Sequence, residues 1–480
     1  MFMLTQCKKK TVITSSNAKL EFSVDTVLFD TVFTTIGSTT HVLKIYNNHN
    51  QPINISSIEI PGGIASQYRM NVDGISGFVH EDIEIDADDS LFVFVEVTVD
   101  PNSFDLPFII EDSIVFITNN NHQTVKLHAW GQNAVFHGSL NEIYILEDDE
   151  LEWDSNLPHV LYGIVAVDSA KTLTIYSGTQ IHCHNGSGLL IYKSTLDVRG
   201  EHTNEVVFQG DRLEPVFSDE PGQWGIDFSG EYLSSQGITE FTVSRGGLWF
   251  IQSKESTIDF AIIKNGVIGI QVDSLDLTSD FSLEITNTKV FNHSAVGILT
   301  QGADVIGVNN LFANCGQTCG QFTIGGRLDF DFCTFANYWN FGTRQAPSFI
   351  LRNYYEDINH VIQVRPFNNT SFTNCIMHGS NASQTDFSEF IVDMYDFEDV
   401  LQQEYLFNYC WVDTDNDISF DQFAEIHNVE TVNFKNPNEG DFHLISDLEG
   451  VPGVNNVPRD IENIDRDSSP RVGCYETNGN

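Results

Sequence analysis

Four asparagines, Asn265, Asn292, Asn314 and Asn337, recur at intervals of 27, 22 and 23 residues. Each is followed by a glycine: Gly269, Gly297, Gly320 and Gly342. The stretches that carry them, IDFAIIKNGVIGIQV, LEITNTKVFNHSAVGIL, VIGVNNLFANCGQTCGQFTI and LDFDFCTFANYWNFGTRQ, align with one another. They are short runs of β-branched and aromatic residues without helical periodicity. A period in the twenties built from strands and turns predicts a solenoid, because one such unit cannot bury its apolar face alone. Regular leucines are lacking, which argues against a leucine-rich repeat. The spacing predicts a right-handed parallel β-helix. Asparagine enters the left-handed region at tight bends and bonds to adjacent coils, and glycine makes bends that β-branched residues cannot.

Upstream the pattern differs. HVLKIYNN, INISSIEI, SLFVFVEVTVD, DSIVFITNN and TVKLHAWG alternate with period two between turn-forming NNHNQP, PGG and DADD. Short strands at this spacing predict an immunoglobulin-like β-sandwich. The fold class is therefore all-β, a sandwich followed by a β-helix. The expected division is a tether at 1–19, the sandwich at 20–135, the β-helix at 136–435 and a closing segment at 436–480, which is expected to cap the last coil.

The chain has 480 residues, with 67 Asp+Glu against 23 Lys+Arg and a formal net charge of -44. That charge excludes nucleic-acid backbones and anionic membrane surfaces as partners. No run of 18 apolar residues is present, so no membrane-spanning helix is expected.

Several motifs bear on chemistry. Cys315 and Cys319 lie three residues apart. They read as small apolar core groups, with a disulfide or a metal site as alternatives. Cys333, Cys375 and Cys410 fall at like positions in their repeats and are expected to form one inward column. His182 and His184 alternate onto one strand face without a visible third metal ligand. Asp413, Asp415 and Asp417 imitate half of a calcium loop, but Ile418 stands where glycine is required. No cofactor is expected, and calcium is the one option left open. Asp211 and Glu214 form one of many acid pairs, which a glycosidase or an ordinary turn would equally use. The stretch Phe341–Phe367 stands out: Arg344, Arg352 and Arg365 against two acids, in a strongly acidic chain. Period two places Arg352 and Tyr354 on one face. With Arg344 and Arg365 they are the candidate substrate-binding residues, arginine for a sugar carboxylate and tyrosine for a ring face. Pairing of these arginines with the acidic flank is the alternative.

MFMLTQCKKK at the start resembles the tail of a bacterial lipoprotein signal, which implies lipidation at Cys7; an accidental cysteine in a tail is the alternative. FDTVFTTIGSTTHVLKIYNNHNQPINISSIEI resembles Hydin-like and choice-of-anchor sandwich domains. VVFQGDRLEP, PGQWGIDF, IIKNGVIGIQVD, FANYWNFGTRQAPSFILRNYYED and IQVRP resemble the right-handed parallel β-helix repeat lipoproteins of bacterial outer membranes. That resemblance spans nearly the whole chain. It implies a lipid-anchored protein at the outer membrane or cell surface, whose partner is a polysaccharide or surface glycan. The reading is a β-helix face that binds polysaccharide or matrix. A polysaccharide lyase or glycoside hydrolase and a non-catalytic structural adhesin are the alternatives, since the fold hosts many chemistries.

Overall fold

A computed structural model describes residues 11–34, 37–100, 108–234, 237–274, 279–356, 361–380, 388–395, 404–445 and 457–476, without the side chains of 140, 141 and 227–244. Cys7 lies outside the described residues. The chain forms two compact units. One comprises Met1–Ala134 with Leu213–Ser218, the other Val135–Arg212 with Asp219–Asn480.

The first unit is a β-sandwich of two five-stranded sheets. One orders its strands Glu21–Phe22, His41–Asn47, Asp89–Val97, Tyr68–Val72, Ile75–Gly77; the other Thr26–Phe33, Asn121–Gln132, Phe108–Thr118, Ile53–Glu59, Val79–Ile85. Pairing is antiparallel except between Thr26–Phe33 and Asn121–Gln132. Alternation puts Leu43, Ile45, Val93 and Val95 of one sheet and Ile55, Phe116, Val125 and Leu127 of the other into a shared core.

The second unit is the right-handed parallel β-helix, with three faces visited in a fixed order. Face one stacks ten parallel strands, among them Ser256–Asp259, Leu283–Thr286, Val305–Val308, Leu328–Asp331, Thr370–Thr373 and Tyr405–Asn408. Face two includes Ala261–Lys264, Lys289–Phe291, Leu311–Ala313, Thr334–Asn337 and Ile376–Gly379. Face three includes Gly246–Ile251, Ile268–Asp273, Val296–Gln301, Thr318–Thr323, Phe349–Arg352 and Phe390–Asp393. Each strand pairs in parallel register with its counterpart one coil on, as in Ile285↔Gly307 and Gly307↔Phe330. Inward positions therefore form columns. The face-one column becomes aromatic: Phe330, Phe372, Phe407 and Phe423 stack at centroid distances of 5.3, 5.0 and 5.7 Å. Gly307 precedes them because a Cβ there would lie 2.4 Å from Cδ1 of Phe330.

Asn265, Asn292 and Asn314 occupy the left-handed region at the bend from face two to face three, with φ of 66, 62 and 49°. The Asn292 amide donates to Oδ1 of Asn265 at 2.8 Å, so neighbouring bends are tied together. Asn337 departs from the set. It ends its strand, and its side chain instead brackets Cys315, donating to its carbonyl at 2.8 Å and accepting from its N–H at 3.2 Å.

A second left-handed position turns face one into face two, at Phe260, Asn287, Asn309, Phe332, Asn374 and Tyr409. The residues that follow are Ala261, Thr288, Asn310, Cys333, Cys375 and Cys410, one column across six coils. Its side chains receive backbone N–H groups from the preceding coil. Ala261 N–H donates to Thr288 Oγ1, Thr288 N–H to Asn310 Oδ1, and Asn310 N–H to Cys333 Sγ. Cys315, Cys319, Cys333, Cys375 and Cys410 are free thiols with no exposed surface. Burial pushes the Cys319 and Cys375 thiols well up, and neighbouring thiols add to it. Both cysteines of the CGQTC stretch are core residues.

The C-terminal segment was expected to close the last coil. Its described residues lie along the flank: Phe442, Leu444, Ile461, Val472 and Tyr475, with Val432 and Phe434 just before it, pack on Leu311, Ala313, Ala336 and Ile376 of face two. The N–H of Gly473 donates to the Asn374 carbonyl, and that of Cys474 to Thr334 Oγ1. The physical reason is in the strands: outward positions of face two turn apolar in these coils and need covering.

Buried histidines tie stability to pH. His293 has no exposed surface; it accepts the Gly266 N–H at Nδ1, and Nε2 donates to the Ile263 carbonyl. That arrangement needs the neutral ring. Burial lowers its pKa to about 4, and likewise those of His137, His159 and His182. Between about pH 6.5 and 4 the unfolded chain binds protons that the folded chain refuses, so their contribution declines as pH falls through that window. Relief of carboxylate repulsion acts in the opposite sense. A comparison of the wild type with His293→Gln isolates the histidine: the wild type's stability advantage in urea should shrink from pH 7 to pH 4.5. An advantage that grew would contradict a neutral His293.

Candidate functional site

Face three ends in an outward column held in strict register: Asp273, Gln301, Thr323, Arg352 and Asp393. Beside it runs Trp249, Gln271, Leu299, Gln321, Ile350 and Ile391. Successive members stand about 4.8 Å apart, the spacing of paired strands. The columns thus present amides, acids, one arginine and apolar groups at a regular step.

Two of the four predicted residues, Arg352 and Tyr354, meet at the end of this rim. Arg352 closes its strand, and its guanidinium lies 5.1 Å from the ring centre of Tyr354. The two are not on one continuous strand. The chain turns at Asn353, and Tyr354–Glu356 forms an antiparallel hairpin with Ile362–Val364. Asn353 is fully buried and clamps the next coil, accepting the Tyr395 N–H at 2.8 Å and donating to its carbonyl at 3.1 Å. This sets the Tyr395 ring 5.6 Å from that of Tyr354. Asp393 joins the cluster, accepting from the Tyr354 hydroxyl at 2.7 Å and lying 3.1 Å from Arg352 Nε. The Tyr354 pKa is raised, first by this hydrogen bond. Arg365 is exposed; its N–H donates to the Asn353 carbonyl, and its guanidinium lies over the bend at Gly302.

Arg344 is a correction. It is 2% exposed, and both its terminal nitrogens pair with the Glu389 carboxylate, which is equally enclosed. It also donates to the carbonyls of Ala346 and Asn337. Its loop folds inward because Glu389, already accepting from the N–H and hydroxyl of Ser348, needs a counter-charge when desolvated. Arg344 is therefore closed to a ligand arriving from solvent. With Arg352 beside Asp393, the arginines do meet the acidic flank, and the expected positive oasis is largely compensated.

Trp249 and Asp273, further along the rim, carried no sequence motif. The Trp249 indole and the Gln271 amide both donate to Asp273 Oδ2 at 2.8 Å, and the Arg245 guanidinium lies 5.6 Å from the indole. Burial raises the Asp273 pKa, against those two hydrogen bonds. Only a register table could have aligned Trp249 with Gln271, 22 residues on.

Other motifs separate or combine. His184 pairs with Asp211 at 2.6 Å and stacks on Tyr162, while the more buried His182 faces the Gly210 carbonyl. Glu214 belongs to the sandwich unit and accepts from Thr39 Oγ1 at 2.7 Å. Asp413 is pushed up to about 6 by burial and then by the charge of Glu389. Among the described residues no group of three His, Cys, Asp or Glu side chains is arranged to hold a metal ion. The hollows open to solvent include two among the described residues. One of about 650 Å³ lies on the sandwich, lined by Arg69, Asn71, Phe78, Phe94 and Glu96. The other, about 340 Å³, lies on the β-helix.

No protein-family model matches the sequence, and no curated protein does. Among solved structures, the chain is similar to a family 123 glycoside hydrolase from Clostridium perfringens, at 10% identity and a TM-score of 0.18, over 26% of each chain. It is also similar to the catalytic unit of a GH87 α-1,3-glucanase from Streptomyces thermodiastaticus, at 9% identity and a TM-score of 0.16, over 80% of this chain and 65% of that one. The chain thus spans about a quarter of the first and under two thirds of the second. Likenesses of that size settle no chemistry for this chain.

Proposed function

We propose that this protein binds polysaccharide along the outer rim of face three, as a surface-anchored member of the β-helix lipoprotein group it resembles. The observation that carries the reading is the cluster of Arg352, Tyr354, Asp393 and Tyr395 at the end of the registered columns. Two tyrosine rings offer flat apolar faces, and the guanidinium and carboxylate beside them offer planar hydrogen bonding. A repeated step of about 4.8 Å along a rigid solenoid suits an extended polymer better than a compact ligand. Cys7 is the proposed lipid attachment point, followed by Lys8, Lys9 and Lys10 and then the sandwich. The outer membrane or cell surface is the proposed location.

A lyase would need a base beside a cation left available for a uronate. Arg344 and Arg352 already face Glu389 and Asp393, so that reading gains nothing from the geometry. Tyr354→Ala removes one ring from the rim without touching the core. Affinity for the bound polysaccharide should fall about tenfold, or 1.4 kcal/mol, measured by calorimetry or affinity electrophoresis. Unchanged affinity in both Tyr354→Ala and Arg352→Ala would remove the rim from consideration.

A further inference from the structure

The hollow of about 340 Å³ on the β-helix is built from three parts of the chain that nothing in the sequence connects. Its lining includes Asp219, Asn292, Asn314, Phe341, Asn438 and Glu439. The volume is within the range of small-molecule sites.

The asparagines of the left-handed bends line it and are held in place. Asn314 donates to the Pro437 carbonyl at 3.1 Å and accepts the Tyr338 N–H at 3.1 Å. The Asn292 amide nitrogen donates to the Asp219 carbonyl and to Asn265 Oδ1. Asn292 is 6% exposed, and its Oδ1 is an acceptor at the cleft. Phe341 is 48% exposed, which is high for a phenylalanine, and the Trp339 ring braces it at 5.2 Å. On the other side the C-terminal segment contributes Asn438, Glu439 and Gly440. Glu439 Oε2 accepts from Asn436 at 2.8 Å, and Gly440 sits at φ 81°.

The chemistry of this lining is selective. It offers acceptors for hydroxyl donors at Asn292 and the carboxylates of Asp219 and Glu439, amides at Asn340 and Asn438, and an aromatic face. Among the described lining residues there is no lysine, arginine or histidine, so a carboxylate or sulfate would meet acids without compensation from them. We infer that the cleft is a binding subsite for a neutral pyranose unit, stacked on Phe341 and hydrogen-bonded through its hydroxyls. It stands on residues separate from the face-three rim and does not depend on that reading. If both sites work, a polymer reaching both would gain avidity.

The test titrates the full chain by calorimetry and ligand-observed NMR. The probes are neutral gluco-, galacto- and manno-oligosaccharides and a matched set of uronic-acid oligosaccharides, each with and without EDTA. The expected result is binding of at least one neutral set, insensitive to EDTA. That binding should weaken tenfold or more in Phe341→Ala and several-fold in Glu439→Gln. Both altered cleft side chains are exposed, and circular dichroism checks that the variants remain folded. Four outcomes overturn the proposal: no neutral set binds at millimolar concentration; uronates bind in preference; Phe341→Ala binds as the wild type does; or calcium alone perturbs the cleft and no sugar does. Loss of binding in Tyr354→Ala with Phe341→Ala unaffected overturns the subsite and leaves the rim standing. The reverse supports the subsite and leaves the rim to its own test with Tyr354→Ala and Arg352→Ala.

Discussion

Arg344→Ala should lower the unfolding free energy by about 3–5 kcal/mol, the cost of leaving one member of a buried ion pair without its partner. Glu389 would keep the Ser348 hydroxyl at 2.8 Å and the Ser348 N–H at 2.9 Å. It would lose both guanidinium contacts in a place that is 2% exposed. Removing both charges should cost far less. The double variant Arg344→Met, Glu389→Leu keeps most of the volume and leaves no buried charge, so it should recover much of the loss. Urea unfolding of the single and double variants measures this. Because Arg344 is enclosed, glycan affinity per folded molecule should not change. A lost affinity with intact stability would return Arg344 to the list of ligand contacts, against its burial.

Phe372→Ala is the second large effect, about 3–5 kcal/mol. Phe372 has no exposed surface and sits in the aromatic column, stacked between Phe330 at 5.3 Å and Phe407 at 5.0 Å, with Phe322 and Phe349 edge-on at 5.5 and 5.1 Å. The four remaining rings cannot simply rotate to refill the gap, because each also packs against a further ring. A solenoid is stabilised by nearest-neighbour interfaces, so the loss should concentrate in the coils from Thr370 onward. Limited proteolysis of the variant should cut first in that region, and thermal unfolding should broaden or split. A single sharp transition with a shift below 1 kcal/mol would mean that the column can repack.

The reach of sequence reasoning differs between features. The asparagine repeat predicted the β-helix because a bend must recur wherever coils stack, and only a few residue types tolerate a left-handed bend. The cysteine alignment worked for the same reason: Cys333, Cys375 and Cys410 each follow a left-handed residue, at Phe332, Asn374 and Tyr409. Charge counting in Phe341–Phe367 was less reliable. It grouped Arg344 with Arg352 and Arg365, yet counting cannot see that Glu389, 45 residues on, arrives at the same bend. The cover that the C-terminal segment gives to the outward apolar positions of face two was likewise not legible in its sequence.

What the sequence determined by itself was periodic: strands, bends, inward columns and the change from sandwich to β-helix near residue 135. These rest on local backbone preferences and on the alternation of side chains, which repeat along the chain. The tertiary structure decided which outward side chains become neighbours. Trp249 with Asp273, Tyr354 with Tyr395, and Phe341 with Asn292 and Glu439 are brought together by coil register, a hairpin and a segment folded back along the flank. Contacts between residues one or more coils apart depend on the exact length of the intervening chain, here 24 to 98 residues, and that length is set by packing, not by local propensity.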